Sequence, residues 1–301
     1  MRYIKKRESG DPSNQSQIFT NISLKVLCCR YWSLSLWDCN DMIFPYWRIY
    51  WNKNDGGQLG YNDELIVMNP DHVYIIPPFT SFYTRYEKRH VFKKGINVSG
   101  KVINAFTDES KIETNSLIHL FMHFNLGIPF DNVAPGIYRL KLSIGQTKKI
   151  KQITSRLKIE NINFSIKDNL KIQAFIIDLL SQLETELWDT INVDDRVLKT
   201  LRFVEANMNE KFSNSFLAEN VNMAPNSFAR LFKAEMKITL HNFIQKRKIA
   251  RACEMFDHTN NTIEEIAYHL GFTDRYHFSR VFKSLTGVPP AKYKSGTIIT
   301  L

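Results

Sequence analysis

Ser227-Phe-Ala-Arg-Leu-Phe-Lys233 and His277-Phe-Ser-Arg-Val-Phe-Lys283 carry identical Phe, Arg, Phe and Lys residues at positions 50 apart. Upstream, Leu217-Ala218 matches Ile266-Ala267 at an offset of 49, so the second copy holds one extra residue between its paired segments. Each copy predicts a short helix containing the Ala, a tight turn and a second amphipathic helix. The turns are Asn222-Met-Ala-Pro225 and Leu270-Gly-Phe-Thr273. A small Ala lets two helices cross closely, and the turn sets them at a steep angle. Phe228, Leu231 and Phe232 would then hold the second helix to a core while the opposite face projects outward.

That outward face has the chemistry of a DNA reader. In the first copy it carries Asn226, Ala229, Arg230 and Lys233; in the second, Arg275, Tyr276, His277, Arg280 and Lys283. Arginine pairs bidentately with guanine, Asn and His bond base edges, and lysine meets phosphate. A single such unit is no more telling than a small helical bundle with solvated faces. Two units joined by a basic helix (Leu240–Phe256, with Lys246, Arg247, Lys248 and Arg251) favour nucleic acid strongly.

Residues 195–294 closely resemble the AraC/XylS family of bacterial transcription regulators. The resemblance rests on Thr262-Ile-Glu-Glu-Ile-Ala267, Gly271-Phe-Thr-Asp274, Tyr276-His-Phe-Ser-Arg-Val-Phe-Lys283 and Gly287-Val-Pro-Pro-Ala-Lys-Tyr-Lys294. It implies double-stranded DNA as partner, with the two recognition helices in successive major grooves. Carried over by position, Asn226, Ala229, Arg230, Arg275, His277 and Arg280 face bases. Lys233, Lys283 and the amides opening each helix face phosphates. It also implies contact with RNA polymerase and a homodimer. Three departures stand out: Lys237 replaces the Gly expected by parallel with Gly287, and Lys248 and Lys294 stand where Arg is usual. The two Arg-to-Lys changes keep charge and lose the planar fork. The first is expected to alter the turn after the recognition helix.

Before the repeat the pattern differs. Residues up to about Gln17 are polar and aperiodic, which predicts a loose tail. From about Ile18 to Leu142, short aromatic and β-branched runs alternate with turn signals: Tyr46–Trp51, Leu65–Met68, Val73–Ile76 and Ser116–Phe124. This predicts a sandwich or small barrel. After Gly145, Ile150, Ile153 and Leu157, then Leu170 through Leu187, recur at helical steps, giving a helix over about Asp168–Trp188. Its apolar stripe suits core packing or a dimer seam. Ile191-Asn-Val-Asp-Asp195 breaks the pattern and starts the next helix. The expected fold is therefore α+β in two domains: after the tail (1–17), a cupin-like β-barrel with following helices (18–192), then an all-α domain with two helix–turn–helix motifs (193–301).

The first domain resembles the cupin-type sensor domains found in part of the same family, on Tyr46–Trp51, Leu65–Pro78 and His119–Phe124. The resemblance implies a small-molecule effector, often a sugar, inside the barrel, for which Trp47 and Trp51 are the candidate ligand-stacking residues. Strand alternation puts those two on one face and Arg48 and Tyr50 on the other, so the four cannot line one cavity. His119 and His123 share a strand face but lie about 13 Å apart in extended chain, too far for one ion. No metal and no cofactor are expected.

Composition sets the outer bounds. The chain has 301 residues, 40 basic and 30 acidic, for a net charge of +10. The excess does not mark the repeat, since residues 193–301 hold 16 basic and 11 acidic side chains, half of the net charge. Cys28, Cys29, Cys39 and Cys253 give neither a disulfide framework nor a thiolate zinc site. The polar start and the lack of an 18-residue apolar run predict a cytosolic protein without membrane attachment. No nucleophile triad, phosphate loop or acid pair points to catalysis, so no enzyme is expected. A cupin catalyst or a repair methyltransferase fused to the DNA-binding unit, and a regulator without small-molecule sensing, remain as alternatives.

Overall fold

The structure is a computed structural model that describes residues 22–86, 95–104, 107, 116–159, 163–189 and 193–297. The expected tail at 1–17 and the expected domain junction at 191–192 lie outside these residues. Among the described residues, nine antiparallel strands form one curled sheet: β1 (Lys25–Ile43), β2 (Trp47–Asn52), β3 (Gly57–Tyr61), β4 (Glu64–Val67), β5 (His72–Ile76), β6 (Ser81–Tyr86), β7 (Gly95–Val102), β8 (Leu117–Asn125) and β9 (Tyr138–Lys141). The order is β4-β3-β6-β1-β8-β2-β5-β9, with β7 also on β1. The sheet curls into a half-barrel with β4 and β9 at its ends, followed by helices, the α+β arrangement that the sequence led us to expect. The long β1 turns the sheet by breaking register against each neighbour, between Val26 and Cys28, Leu34 and Leu36, and Cys39 and Met42. Such bulges bend a strand and increase its twist.

β2 is buried along its whole length, because the sheet is covered on both faces. Trp47, Ile49 and Trp51 point to the convex side. There they share a core with α1 (Ile144–Ile159), α2 (Ile166–Leu180) and α3 (Thr185–Asp189). Arg48 and Tyr50 point to the concave side, among Trp37, Phe44, Tyr46 and Phe82. The helix expected over Asp168–Trp188 is broken in the structure. α2 ends at Leu180 with Ser181 as its C-cap, where the Ser181 hydroxyl and the Gln182 side-chain amide both donate to the Asp178 carbonyl while the Gln182 backbone amide donates to Leu179. Leu183 and Leu187 are nevertheless buried in the same core, which is why periodicity alone showed one helix.

The remaining helices are α4 (Asp195–Ala206), α5 (Asn214–Glu219), α6 (Pro225–Met236), α7 (Leu240–His258), α8 (Ile263–His269), α9 (Arg275–Thr286) and α10 (Pro290–Thr297). α4 to α6 and the first turns of α7 enclose one core around Phe228 and Phe232. The rest of α7 with α8 to α10 encloses a second around Phe278 and Phe282, continuous with the concave face of the sheet. Tyr293 of α10 meets Phe44 there, with ring centroids 6.4 Å apart.

Candidate nucleic-acid interface

The two helix–turn–helix units are built alike. Ser213 and Thr262 cap the first helices by accepting the amides of Phe216 and Glu265, and Glu265 completes a capping box. Ala218 and Ala267 are buried at the crossing. Each turn needs a left-handed residue, supplied by Asn222 (φ 55°) and Gly271 (φ 66°), the residue types that tolerate it best. Each turn is closed by the same bond, 3.0 Å from the Met223 amide to the Ala218 carbonyl and 3.0 Å from Phe272 to Ala267. From Phe228 to Leu240 and from Phe278 to Pro290, burial agrees position by position.

Lys237 adopts the same left-handed conformation as Gly287 (φ 58° and 78°), so the turn after α6 is kept where the sequence suggested a change. The cost is side-chain strain that glycine avoids. The other two departures also have defined partners. Lys248 Nζ donates to the Glu210 carbonyl at 2.9 Å and Lys294 Nζ to the Asn261 carbonyl at 2.8 Å. A single ammonium suffices for one carbonyl acceptor.

Of the expected contact residues, Asn226, Arg230, Lys233, Arg275, Arg280 and Lys283 are exposed. Ala229 is half-buried. So is His277, whose ring lies 3.3 Å from the Thr273 hydroxyl and edge-on to Phe272. Among the described residues, none of Arg230, Lys233, Arg275, Arg280 and Lys283 pairs with a carboxylate. Tyr276 and Tyr268 add two large exposed rings beside them, 78% and 81% accessible. Tyr268 gave no sequence signal, because an aromatic at that helix position also reads as core.

The linker helix behaves differently. Arg247 is buried and forms a two-pronged pair with Glu205. Arg251 pairs with Glu254, and Lys246 lies over the Phe79 ring. The basic charges of α7 are therefore spent within the protein.

The helix openings differ too. α6 begins with Ala224 and Pro225, with no side-chain cap, so its first amides stay available. α9 begins at Asp274, whose carboxylate accepts the Tyr276 and His277 amides at 2.8 and 2.7 Å. Those two amides, expected to meet phosphate, are already occupied by an anion whose pKa these bonds hold down.

A family model described as a helix-turn-helix domain matches residues 217–296. The chain carries a helix-turn-helix domain. The arabinose operon regulatory protein of Escherichia coli (strain K12) is 27% identical over 131 residues, covering 41% of this chain and 45% of that protein. The HTH-type transcriptional activator RhaR of Enterobacter sp. (strain 638) is 21% identical over 235 residues, 76% of this chain and 80% of RhaR. The chain thus spans under half the length of the first of these relatives. ToxT from Vibrio cholerae shares the two-domain fold at a TM-score of 0.56 and 12% identity, over 94% of this chain and all of ToxT. No enzyme family is indicated among these relatives.

In the half-barrel, the structure buries both tryptophans expected to stack a ligand. Trp47 lies between Phe124 and Trp188, and Trp51 Nε1 donates to the Pro70 carbonyl at 2.8 Å. Both face the convex core and expose no ring face. His119 is buried on the concave face with Nδ1 2.7 Å from the Asn52 side-chain oxygen, and His123 packs on Phe121 and Tyr46. Among the described residues, no group of three His, Cys, Asp or Glu side chains could hold a metal ion, and no helix is long and apolar enough to cross a membrane.

A cleft of about 720 Å³ separates the half-barrel from α4, α7 and α8. Glu254 crosses it, accepting from Lys25 at 3.3 Å and Asn125 at 2.5 Å on the sheet and from Arg251 on its own helix. Asp131, which accepts the Leu126 and Gly127 amides, also borders it. Burial first, against the pull of nearby Arg247, raises its pKa to about 6.

Proposed function

We propose that this chain is a sequence-specific DNA-binding transcription regulator acting as a homodimer, with a half-barrel domain that takes a small-molecule effector. The DNA reading rests on one observation: two recognition helices with matching burial present arginines and lysines that have no acidic partner among the described residues. Asn226, Ala229, Arg230, Arg275, His277 and Arg280 meet base edges, and Lys233 and Lys283 meet phosphates. The effector reading is supported by fold neighbours: ToxT structures hold an unsaturated fatty acid and a naphthalenyl-butenoic acid. Dimerisation is supported by Ile166, Leu170 and Ile177, 81%, 59% and 41% exposed on one face of α2. The same reading takes RNA polymerase as protein partner and the cytoplasm as compartment.

Selection of bound sites from random duplex DNA by the full chain tests the reading. One enriched site with two half-elements about 10 base pairs apart is expected. No enrichment over bulk DNA would remove sequence-specific regulation.

A further inference from the structure

The concave face of the half-barrel holds a cation with no counter-charge among the described residues. Arg48 is only 5% exposed. Its Nη1 donates to the Tyr50 hydroxyl at 2.5 Å and its Nη2 to the Tyr46 hydroxyl at 2.9 Å, while Nε has no partner. The Phe44 ring centroid lies 3.2 Å from Cζ, and the rings of Tyr46, Tyr50 and Phe82 lie within 5.9 Å. Among the described residues no carboxylate pairs with it.

Neighbouring titratable groups do not compensate. Burial pushes the Tyr50 phenol up, so it stays neutral. Burial and then the Arg48 charge push His119 down to about 3, so it too is neutral. Guanidinium keeps its proton. A positive charge therefore sits in an aromatic cage, held by two tyrosine hydroxyls and by ring faces. Buried charges in proteins are ordinarily paired, and an apolar side chain of similar length would pack there at less cost.

We propose that Arg48 anchors an effector site on the concave face, and that the effector is a monocarboxylate carried on an apolar or aromatic body. This rests on the effector reading above and gives that site its ligand class. The guanidinium fork matches both oxygens of a carboxylate. The Tyr50 hydroxyl, an acceptor now, can rotate to donate to the same group. The rings of Phe44 and Phe82 suit an apolar body. A sugar would leave the charge unpaired, and a dianion would bring a second charge that no cation in the cage meets.

The cage is closed here, so a ligand reaches Arg48 by turning Phe44 aside. Phe44 packs on Tyr293 of α10, and Tyr293 meets Phe282 edge-on at 5.4 Å. Phe282 is the buried anchor of the second recognition helix. Occupation of the cage therefore disturbs the seat of α9 and α10 on the sensor domain.

The test uses the full chain with octanoate and trans-cinnamate, and their neutral amides as controls. Thermal shift reads binding, and anisotropy of a labelled selected duplex reads DNA affinity. We expect a saturable rise in Tm with at least one acid and none with its amide. Arg48→Met should abolish that response while leaving the unliganded Tm unchanged or higher. If Arg48→Met does not fold, Arg48→Lys decides, with a tenfold or greater loss of acid affinity expected. Silence to both acids, equal response to the amides, a response surviving Arg48→Met, or parent-like affinity in Arg48→Lys overturns the proposal. An Arg48-dependent acid response with DNA affinity unchanged supports the anion site and removes effector control from the function proposed above. The two acids separate an aliphatic from an aromatic body.

Discussion

Replacing Gly271 by Ala tests how the two helix–turn–helix units are held together. Gly271 takes φ +66°, which costs a residue with a Cβ about 1–2 kcal/mol. A Cβ built there lies 2.3 Å from the Asn209 carbonyl oxygen, in the loop between α4 and α5, and 3.3 Å from Lys248 Nζ. The first contact is roughly 1 Å short of van der Waals separation. It falls on backbone, and the lysine beside it is tied to the Glu210 carbonyl, so relief requires moving one unit against the other. Overpacking of this kind adds about 1–3 kcal/mol, for a total on the order of 2–5 kcal/mol. In a domain of this size that lowers Tm by roughly 8 °C or more. Asn222→Gly is the control, because Asn222 already occupies the equivalent left-handed position, and its effect should stay within about 1 kcal/mol. Thermal and urea unfolding measure both variants. Binding to a duplex with both half-elements should weaken in Gly271→Ala, with affinity for a single half-element kept. Gly271→Ala unfolding within about 0.5 kcal/mol of the parent, with two-element binding intact, would refute the close approach.

Four other outcomes follow from particular side chains. Arg230→Ala should weaken specific DNA binding by about 1–3 kcal/mol and relax preference at one base position; equal loss on every duplex in a binding competition would make Arg230 a phosphate contact. Asp274→Ala should cost about 0.5–2 kcal/mol of stability through loss of the α9 cap, read by urea unfolding. Asp131 titrates near 6 when folded and near 4 when unfolded, so the native chain binds that proton more tightly. Its contribution to stability is full below about pH 4 and declines as pH rises to about 6. Asp131→Asn should flatten that part of the Tm–pH curve, and an unchanged slope would mean the carboxyl is solvated. Leu170→Glu on the exposed face of α2 should shift sedimentation toward monomer without lowering Tm; a parent-like oligomeric state would remove α2 from the seam.

The C-terminal half was legible because its information is local and repeated. Phe228, Phe232, Phe278 and Phe282 mark the buried face at helical spacing, and the outward arginines follow from the same period. The caps at Ser213 and Thr262 and the turns at Asn222 and Gly271 are readable from a few neighbouring residues. The fate of the α7 charges was not readable. Whether Arg247 meets DNA or Glu205 depends on where a residue 42 positions away in sequence comes to lie. The opposite consequences of Asp274 and Ala224 for a phosphate, by contrast, are local, because one is a capping residue type and the other is not.

Strand alternation by itself separated Trp47 and Trp51 from Arg48 and Tyr50, since successive side chains point to opposite faces of a sheet. Which face is concave depends on the curl of β1 and on the helices packed behind it, so only the tertiary structure assigned the tryptophans to the helix-covered core and Arg48 to the cage. The repeat determined that there are two recognition helices and which side chains they present. The docking of α10 on the half-barrel determined that the second of them shares a core with the sheet, because contacts such as Phe44 with Tyr293 join segments that no local pattern connects.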